Sequence, residues 1–238
     1  MKRLSVSQLK IIAIISMVCS HLSCTILWGI QWLDVIGRIA FPIFAFLLAE
    51  GYTRTSNRNA YFKRLFLFAL LSEIPFNLMA EGTLFFPFHQ NVLFTFVISF
   101  IFMDWIENAK GTRWFATRAA LGCVAGYLLG FVTFVDYFGY GVLMVLIFYL
   151  FHNLKWHHIP EFLSMAYINL SVGGLVFPVT VLNHTIEIPK QGFALLALIP
   201  IWMYNEKQGR KLPKYALYIF YPAHMLLFWA LMKLIPIM

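Results

Sequence analysis

Apolar runs separated by short polar loops make up nearly the whole chain. The runs fall at residues 9–28, 33–52, 62–80, 91–107, 115–134, 137–152, 160–181, 191–204 and 214–235. Most are close to the length of about 20 residues that a helix needs to cross the hydrocarbon of a bilayer. With 61% hydrophobic and 12% charged residues, the chain has too few polar side chains for an ordinary soluble domain. The sequence therefore predicts an all-α polytopic membrane helical bundle that forms a single domain over residues 1–238.

The basic residues indicate how these spans are oriented. Lysine and arginine gather in loops that stay in the cytoplasm. With a cytoplasmic N-terminus and nine spans, all but three of the 18 Lys and Arg residues lie at the inner side. The exceptions are Arg38, Lys190 and Lys233. We therefore expect about nine transmembrane helices, the N-terminus in and the C-terminus out, and membrane lipids rather than nucleic acid as partners.

The first apolar run, in the stretch LKIIAIISMVCSHLSC, carries Lys10 and His21. A separation of 11 residues returns a helix to the same face after a rise of about 16 Å. A titratable group within a span normally faces the bundle interior or a water-filled cavity. The alternatives are an interface anchor for Lys10 and, for His21, a buried imidazole satisfied by a neighbouring helix.

Several motifs together resemble a known family. A basic residue, ten residues and a histidine in the first run resemble the transmembrane acyltransferase superfamily, to which acyltransferase family 3 is related. The stretches GRIAFPIFAFLLAEGYTRT, RLFLFALLSEIPFNL, QNVLFT and KYALYIFYPAHMLLF resemble the TraX family within it. The resemblance implies an acyl-CoA-dependent acetyltransferase in the bacterial cytoplasmic (inner) membrane. It would use acetyl-CoA as the acyl donor and acetylate an amine or hydroxyl at the outer side, on a polypeptide N-terminus, a glycan or a lipid.

The resemblance implies His21 as the essential histidine. It would act as general base on the acceptor or as a transient acyl carrier, and the chemistry of imidazole permits both. Arg38 would orient the acceptor or stabilise the oxyanion; the alternative is an interface anchor paired with Asp34. Glu73 would hold His21 in one tautomer or pair with Arg38, or form a purely structural ion pair. Asn91 is expected to cap the fourth run.

Acetyl-CoA carries phosphates, so the inner mouth of its site should be basic. The residues assigned to donor binding are Lys10, Glu50, Arg54, Arg58 and Arg64. The alternative for the arginines is the positive-inside rule alone. For Glu50 it is a local pair with Arg54, four residues further along the helix.

One local pattern and two other functions of the whole chain remain open. The stretch HNLKWHH at residues 152–158 resembles a metal cluster in composition, but no metal is expected, because no carboxylate or cysteine is seen to complete the site. A small membrane transporter or flippase would also bury Arg, Glu and His in a helical bundle. It is the alternative to an acetyltransferase. A purely structural assembly factor comes third, because it explains the costly intramembrane charges worst.

Overall fold

The computed structural model describes residues 3–171, 176–181, 184–210, 213 and 215–234. The chain divides into two compact units, each made of two separate stretches of sequence. Unit 1 comprises Met1–Leu47 and Trp156–Leu212, and unit 2 comprises Leu48–Lys155 and Pro213–Met238. The single domain over residues 1–238 stays a prediction.

Most of the described chain is helical. In chain order its helices are α1 (Val6–Cys24), α2 (Gln31–Gly37), α3 (Ala40–Arg54), α4 (Arg58–Ala80), α5 (Val92–Glu107), α6 (Phe115–Val132), α7 (Phe138–Phe151), α8 (His158–Ser171), α9 (Leu198–Trp202) and α10 (Ala216–Leu234). A 3-10 helix at Lys190–Ala197 leads into α9. Strands β1 (Val176–Val181) and β2 (His184–Pro189) form an antiparallel hairpin. The predicted runs 9–28, 62–80, 91–107, 115–134 and 137–152 correspond to α1, α4, α5, α6 and α7.

A capping box starts α1. The Ser5 hydroxyl accepts from the backbone N–H of Gln8, and the Gln8 side chain accepts from the backbone N–H of Ser5 at 2.9 Å. This exchange satisfies two amide groups that the first turn of a helix leaves without partners. The Ser7 hydroxyl donates to the Gln208 carbonyl at 2.8 Å, so the segment after α9 is held against the start of α1 within unit 1.

The predicted run 33–52 lies within one apolar segment, Gln31–Arg54, in which the two turn residues Arg38 and Ile39 separate α2 from α3. Pro42 contributes to this division, since proline suits the first turn of a helix and not its interior. Just before the break, α2 packs very closely on α1. A Cβ added at Gly37 would lie 2.5 Å from Ser20 Cβ and 2.7 Å from Ser20 Cα, so only glycine permits this contact.

The predicted run 160–181 is also corrected. Its helix ends at Ser171, residues 172–175 lie outside the described part, and residues 176–181 form β1. Valine and threonine prevail in this segment, and their branched side chains favour strands. The run 191–204 contains a 3-10 turn and the short α9 instead of one long helix. The all-α prediction thus needs the addition of one hairpin.

In unit 2, side-chain caps and close glycine contacts organise the helices. Asn57 caps α4 by accepting from the backbone N–H of Ala60 at 2.8 Å. The predicted cap at Asn91 is confirmed, since its side chain accepts from the backbone N–H of Leu93 at 3.0 Å. Helices α6 and α7 touch through their backbones: a Cβ added at Gly130 would lie 2.8 Å from the Cα of Gly139.

Within the described residues, four segments are long and apolar enough to cross a membrane. They are Val6–Cys24, Gln31–Arg54, Phe115–Val132 and Ala216–Leu234. Helix α6 leaves Leu121, Val124 and Leu128 more than half exposed, and such an apolar face suits lipid. Nine spans and the orientation with the N-terminus in stay predictions. Residues 214 and 235, the ends of the last predicted run, lie outside the described part.

Candidate functional site

Lys10 and His21 both lie on α1, which is one unbroken helix from Val6 to Cys24. No break in the helix separates the two residues, so their spacing of 11 places them on the same face of α1. Both residues are half-buried. The carbonyl of His21 accepts a hydrogen bond from the Thr25 hydroxyl at 2.5 Å, which stabilises the last turn of the helix.

The contact between Ser20 and Gly37 brings His21 and Arg38 to the same level of α1 and α2. His21 directly follows Ser20, and Arg38 directly follows Gly37. The two backbones meet at this point because neither helix carries a large side chain there.

Arg38 is the centre of a polar network in unit 1. Its Nη2 donates to Oδ1 of Asp34 at 2.6 Å, and its Nη1 donates to Oε1 of Gln191 at 3.1 Å. Lys190 Nζ lies 3.2 Å from Oδ2 of Asp34. Gln191 in turn donates to Oδ1 of Asn169 at 2.9 Å. We call these five residues the Arg38 cluster.

The Arg38 cluster is largely shielded from solvent. Asp34 and Gln191 are less than a tenth exposed, and Asn169 is fully buried. Of its five residues, two are cations and one is a carboxylate, so their formal charges sum to +1. Buried electrostatic interactions are screened less than surface ones, and the cluster is therefore suited to attract a negatively charged group.

The sequence predicted only part of this cluster. The sequence predicts the pair of Asp34 and Arg38 as one alternative, an interface anchor, and the ion pair itself is present. Lys190, Gln191 and Asn169 were missed as partners. In the sequence, Lys190 and Gln191 are a polar pair directly after Pro189, and Asn169 is a single amide in an apolar helix. Neither feature indicates which residue it contacts.

Glu73 is bound to the start of α5 within unit 2. Its Oε2 accepts from Nδ2 of Asn91 at 2.5 Å and from the Asn91 backbone N–H at 3.2 Å. The Asn91 amide also donates to the Ala69 carbonyl at 2.9 Å, so α4 and the cap of α5 are joined. This arrangement supports a structural role for Glu73. The prediction that Glu73 orients His21 joins residues of different units and stays a prediction.

Glu50 and Arg54 form the local pair that their spacing predicts. Glu50 is buried, and its other carboxylate oxygen lies 3.4 Å from Nε2 of His152. A buried carboxylate such as that of Glu50 is stabilised by the positive charge of Arg54. Arg54 is therefore engaged by protein, whatever further role it has towards a donor.

The other residues assigned to donor binding have partners of several kinds. Arg58 donates to Oε1 of Glu107 at 3.2 Å and lies 4.3 Å from the centre of the Tyr52 ring. The guanidinium of Arg64 lies 5.9 Å from the Tyr61 ring centre. These contacts supply structural reasons for both arginines. Lys10 belongs to unit 1 and the other four residues to unit 2, and a common site for acetyl-CoA stays a prediction.

The reason for expecting no metal near HNLKWHH is wrong. Glu161, in the first turn of α8, supplies the carboxylate that the sequence motif lacks. One ligand atom each of His157, His158 and Glu161 can be chosen so that all three lie within 4.8 Å of one another. The sequence signal was HHIPE at residues 157–161, in which helical spacing brings the carboxylate back to the histidines.

The sequence profile of the TraX protein family matches residues 5–232. A probable fimbrial assembly protein FimC, serogroup H1, from Dichelobacter nodosus is 28% identical over an alignment of 241 positions, which spans 94% of this chain and 93% of the relative. A Protein TraX from Escherichia coli is 27% identical over 143 residues, which cover 59% of this chain and 54% of that relative. A second, from strain K12, is 28% identical over 115 residues, which cover 48% and 43%.

No solved structure matches the chain. The profile match extends over all the helices from α1 into α10, and the long apolar helices agree with a membrane protein. The chain is a membrane protein and belongs to the TraX family.

Proposed function

We propose that the chain is a membrane acetyltransferase. It takes the acetyl group from cytoplasmic acetyl-CoA and transfers it to an amine or hydroxyl at the outer side of the bacterial cytoplasmic membrane. The names of its relatives, a probable fimbrial assembly protein and TraX proteins, support a role connected with a pilus or with conjugation. They favour a polypeptide N-terminus over a glycan or a lipid as the acceptor.

The observation that carries this proposal is that His21 and Arg38 directly follow the residues at which α1 and α2 touch. The contact between Gly37 and Ser20 joins α1 and α2 directly before these two residues. Acyl transfer is accelerated by a base that takes the proton of the acceptor and by a positive charge that stabilises the oxyanion. In the predicted orientation both belong to the outer half of the membrane, where the acceptor arrives.

The reaction assigns separate tasks to these groups. Neutral His21 takes the proton of the acceptor amine or hydroxyl as that group attacks the thioester carbonyl carbon. The electron pair of the carbonyl moves onto its oxygen, and the excess positive charge of the Arg38 cluster stabilises the oxyanion. The carbon–sulfur bond then breaks, and the CoA thiolate takes the proton back from His21.

A second route gives His21 a covalent part. Its neutral imidazole attacks the thioester carbonyl carbon, the carbon–sulfur bond breaks, and the CoA thiolate takes the remaining ring proton. The acceptor then attacks the acetyl-imidazole, the carbon–nitrogen bond breaks, and the proton of the acceptor passes to the imidazole. Incubation of the purified protein with radiolabelled acetyl-CoA, without an acceptor, separates the two routes. Labelled protein that His21→Ala abolishes indicates the covalent route, and unlabelled active protein indicates general base catalysis.

The test of the proposal measures CoA release and acetyl transfer by the full chain in detergent. Acetyl-CoA is the donor, and a short peptide with a free N-terminal amine is the acceptor. We expect His21→Ala to abolish transfer while acetyl-CoA affinity is retained, and Lys10→Ala to weaken binding. Cys19→Ala, a small change on the same helix, is the matched control and should retain both activities.

Two results would contradict the proposal. One is normal transfer by the His21→Ala protein. The other is a folded wild-type protein that neither binds acetyl-CoA nor releases CoA from it. A protein that binds acetyl-CoA and moves it across proteoliposomes intact would instead favour a transporter, because transport leaves the thioester unbroken.

A further inference from the structure

His157, His158 and Glu161 form a compact group at the start of α8, which we call the His157 cluster. One imidazole nitrogen from each histidine and one carboxylate oxygen can be chosen within 4.8 Å of one another. His158 and Glu161 are three residues apart on α8 and therefore lie on the same face. We propose that this cluster binds one divalent transition-metal ion, for which zinc is the best match.

The contact between His157 and Glu161 carries the proposal. Nδ1 of His157 lies 3.0 Å from Oε1 of Glu161, yet this nitrogen is buried and makes no hydrogen bond of acceptable geometry within the described residues. A buried polar atom without such a bond is costly and calls for an explanation such as an ion. Two ligands at about 2.0–2.2 Å from one tetrahedral zinc ion lie about 3.3–3.6 Å apart, so a shift of a few tenths of an ångström in either side chain brings the observed distance to that of a shared ion.

The burial of Glu161 is the second observation. Its residue is only 2% exposed, and its Oε2 accepts from Nε1 of Trp202 at 2.8 Å. A hydrogen bond to the outer oxygen of a ligating carboxylate fixes its orientation, as is common around metal sites. Oε1 is then directed at His157, and a divalent cation would compensate the buried negative charge.

The donor atoms select the class of ion. Two imidazoles and one carboxylate suit zinc and its neighbours in the first transition row. Calcium and magnesium prefer sites made of oxygen atoms alone. Three protein ligands also leave one coordination position for water or an exchangeable anion, as in zinc sites that are open to solvent.

The binding test uses the purified full chain in detergent after treatment with a chelator. Zinc chloride is titrated into the protein by calorimetry, and bound zinc is counted by mass spectrometry after desalting. We expect one zinc per chain and a rise in the thermal midpoint of unfolding on binding. His157→Ala and Glu161→Gln should lower zinc affinity at least 100-fold, and Trp202→Phe about 10-fold or more.

His152→Gln is the matched control, because His152 belongs to the same histidine-rich stretch but its side chain lies against Glu50. This variant should keep wild-type zinc affinity. The proposal is overturned if wild-type protein takes up no zinc. It is equally overturned if the double variant His157→Ala with Glu161→Gln binds zinc like wild type, or if His152→Gln loses as much affinity as the cluster variants.

A simple ion pair between His157 and Glu161 is the competing explanation, and it predicts no zinc-dependent rise in the unfolding midpoint. Should Glu161→Gln fail to fold, the more exposed His158→Ala and the conservative Trp202→Phe decide the question by their zinc affinity. Acetyl transfer is not part of this experiment, so its outcome is independent of the proposed function.

Discussion

Asp34 pairs with two cations at once, since one carboxylate oxygen binds Arg38 and the other lies near Lys190. The sequence indicates the first pair because four residues separate its members on one helix. The second is not visible in the sequence, because Lys190 is remote along the chain. The dependence of both cations on one buried carboxylate makes Asp34 the most sensitive residue of the Arg38 cluster.

Asp34→Asn should lower the thermal midpoint of unfolding in detergent. The substitution leaves two neighbouring cations without their counter-charge, at an expected cost of about 2 kcal/mol, below the range for a fully buried pair because Arg38 is partly exposed. Adding Lys190→Gln removes one cation and should restore part of the loss. A double variant as unstable as the sum of its single variants would show that the two residues are not coupled.

At the scale of elements, the closest contact in unit 1 is the crossing of α1 and α2 at Ser20 and Gly37. The sequence offered no reason to single out Gly37 among the 14 glycines. A small residue matters only where another backbone approaches it, and that approach is a property of the packed pair of helices. The level of His21 relative to Arg38 depends on this contact.

Gly37→Ala should destabilise the protein by about 1–3 kcal/mol, the usual cost of overpacking, and should also lower acetyl transfer. Ser20→Gly should rescue it only in part, because the added Cβ would still lie 2.7 Å from Ser20 Cα. Thermal unfolding of the single and double variants measures this. Gly192→Ala is the control, since its new Cβ would meet only a flexible Leu170 side chain at 3.3 Å. Full rescue would refute backbone contact as the cause.

The loops between α4 and α5 and between α6 and α7 are joined by His89. Its Nδ1 lies 3.1 Å from Glu81, and its Nε2 lies 3.8 Å from Asp136. The Asp136 carboxylate first, and then Glu81, raise the pKa of His89 to about 9, against the effect of burial, which lowers it. The charged imidazole is therefore part of the link between the two loops.

The stabilisation by His89 should depend on pH. Because its folded pKa is raised above the ordinary value of 6.5, the stabilisation is complete below about pH 6.5 and is lost as the pH rises through about 9. The unfolding midpoint of wild type should exceed that of His89→Gln at pH 6 and approach it at pH 10. Thr83→Ala, in the same loop, is the control. A difference that stays constant with pH would exclude the charged pair as its source.

At the scale of the whole molecule, the number of spans decides the side of the membrane on which the chain ends. Nine spans put the two termini on opposite sides, whereas the four helices that are long and apolar enough by themselves would put them on the same side. The shorter apolar helices therefore matter for topology. Helix α7 has 14 residues and reaches about 21 Å, so it needs a locally thinner bilayer or protein neighbours to cross.

A reporter fused after Met238 should be active at the outer side if nine spans and an inner N-terminus are correct. Alkaline phosphatase, which is active only outside, and a cytoplasmic fluorescent protein are the two reporters. Fusions after Lys110, expected inside, and after Gly82, expected outside, calibrate the signals. Fluorescence together with inactive phosphatase at Met238 would refute the nine-span count.

The sequence by itself determined those features that depend on residues close together in the chain. The apolar runs predict the long helices because burial or lipid contact of one helix is decided within about 20 residues. The cap at Asn91, the pair of Glu50 with Arg54 and the common stripe of Lys10 and His21 need only helical spacing.

Only the tertiary structure decided which remote groups meet. Lys190 and Gln191 join Arg38, Asn91 engages Glu73, and Trp202 orients Glu161. The break after Gly37 and the hairpin after α8 also have local causes, which are Pro42 and the branched residues of β1, but the apolar pattern of both runs suits a longer helix equally well. A polar side chain in an apolar run must find a partner, but the run does not specify which one, since the partner is chosen by the packing of distant segments.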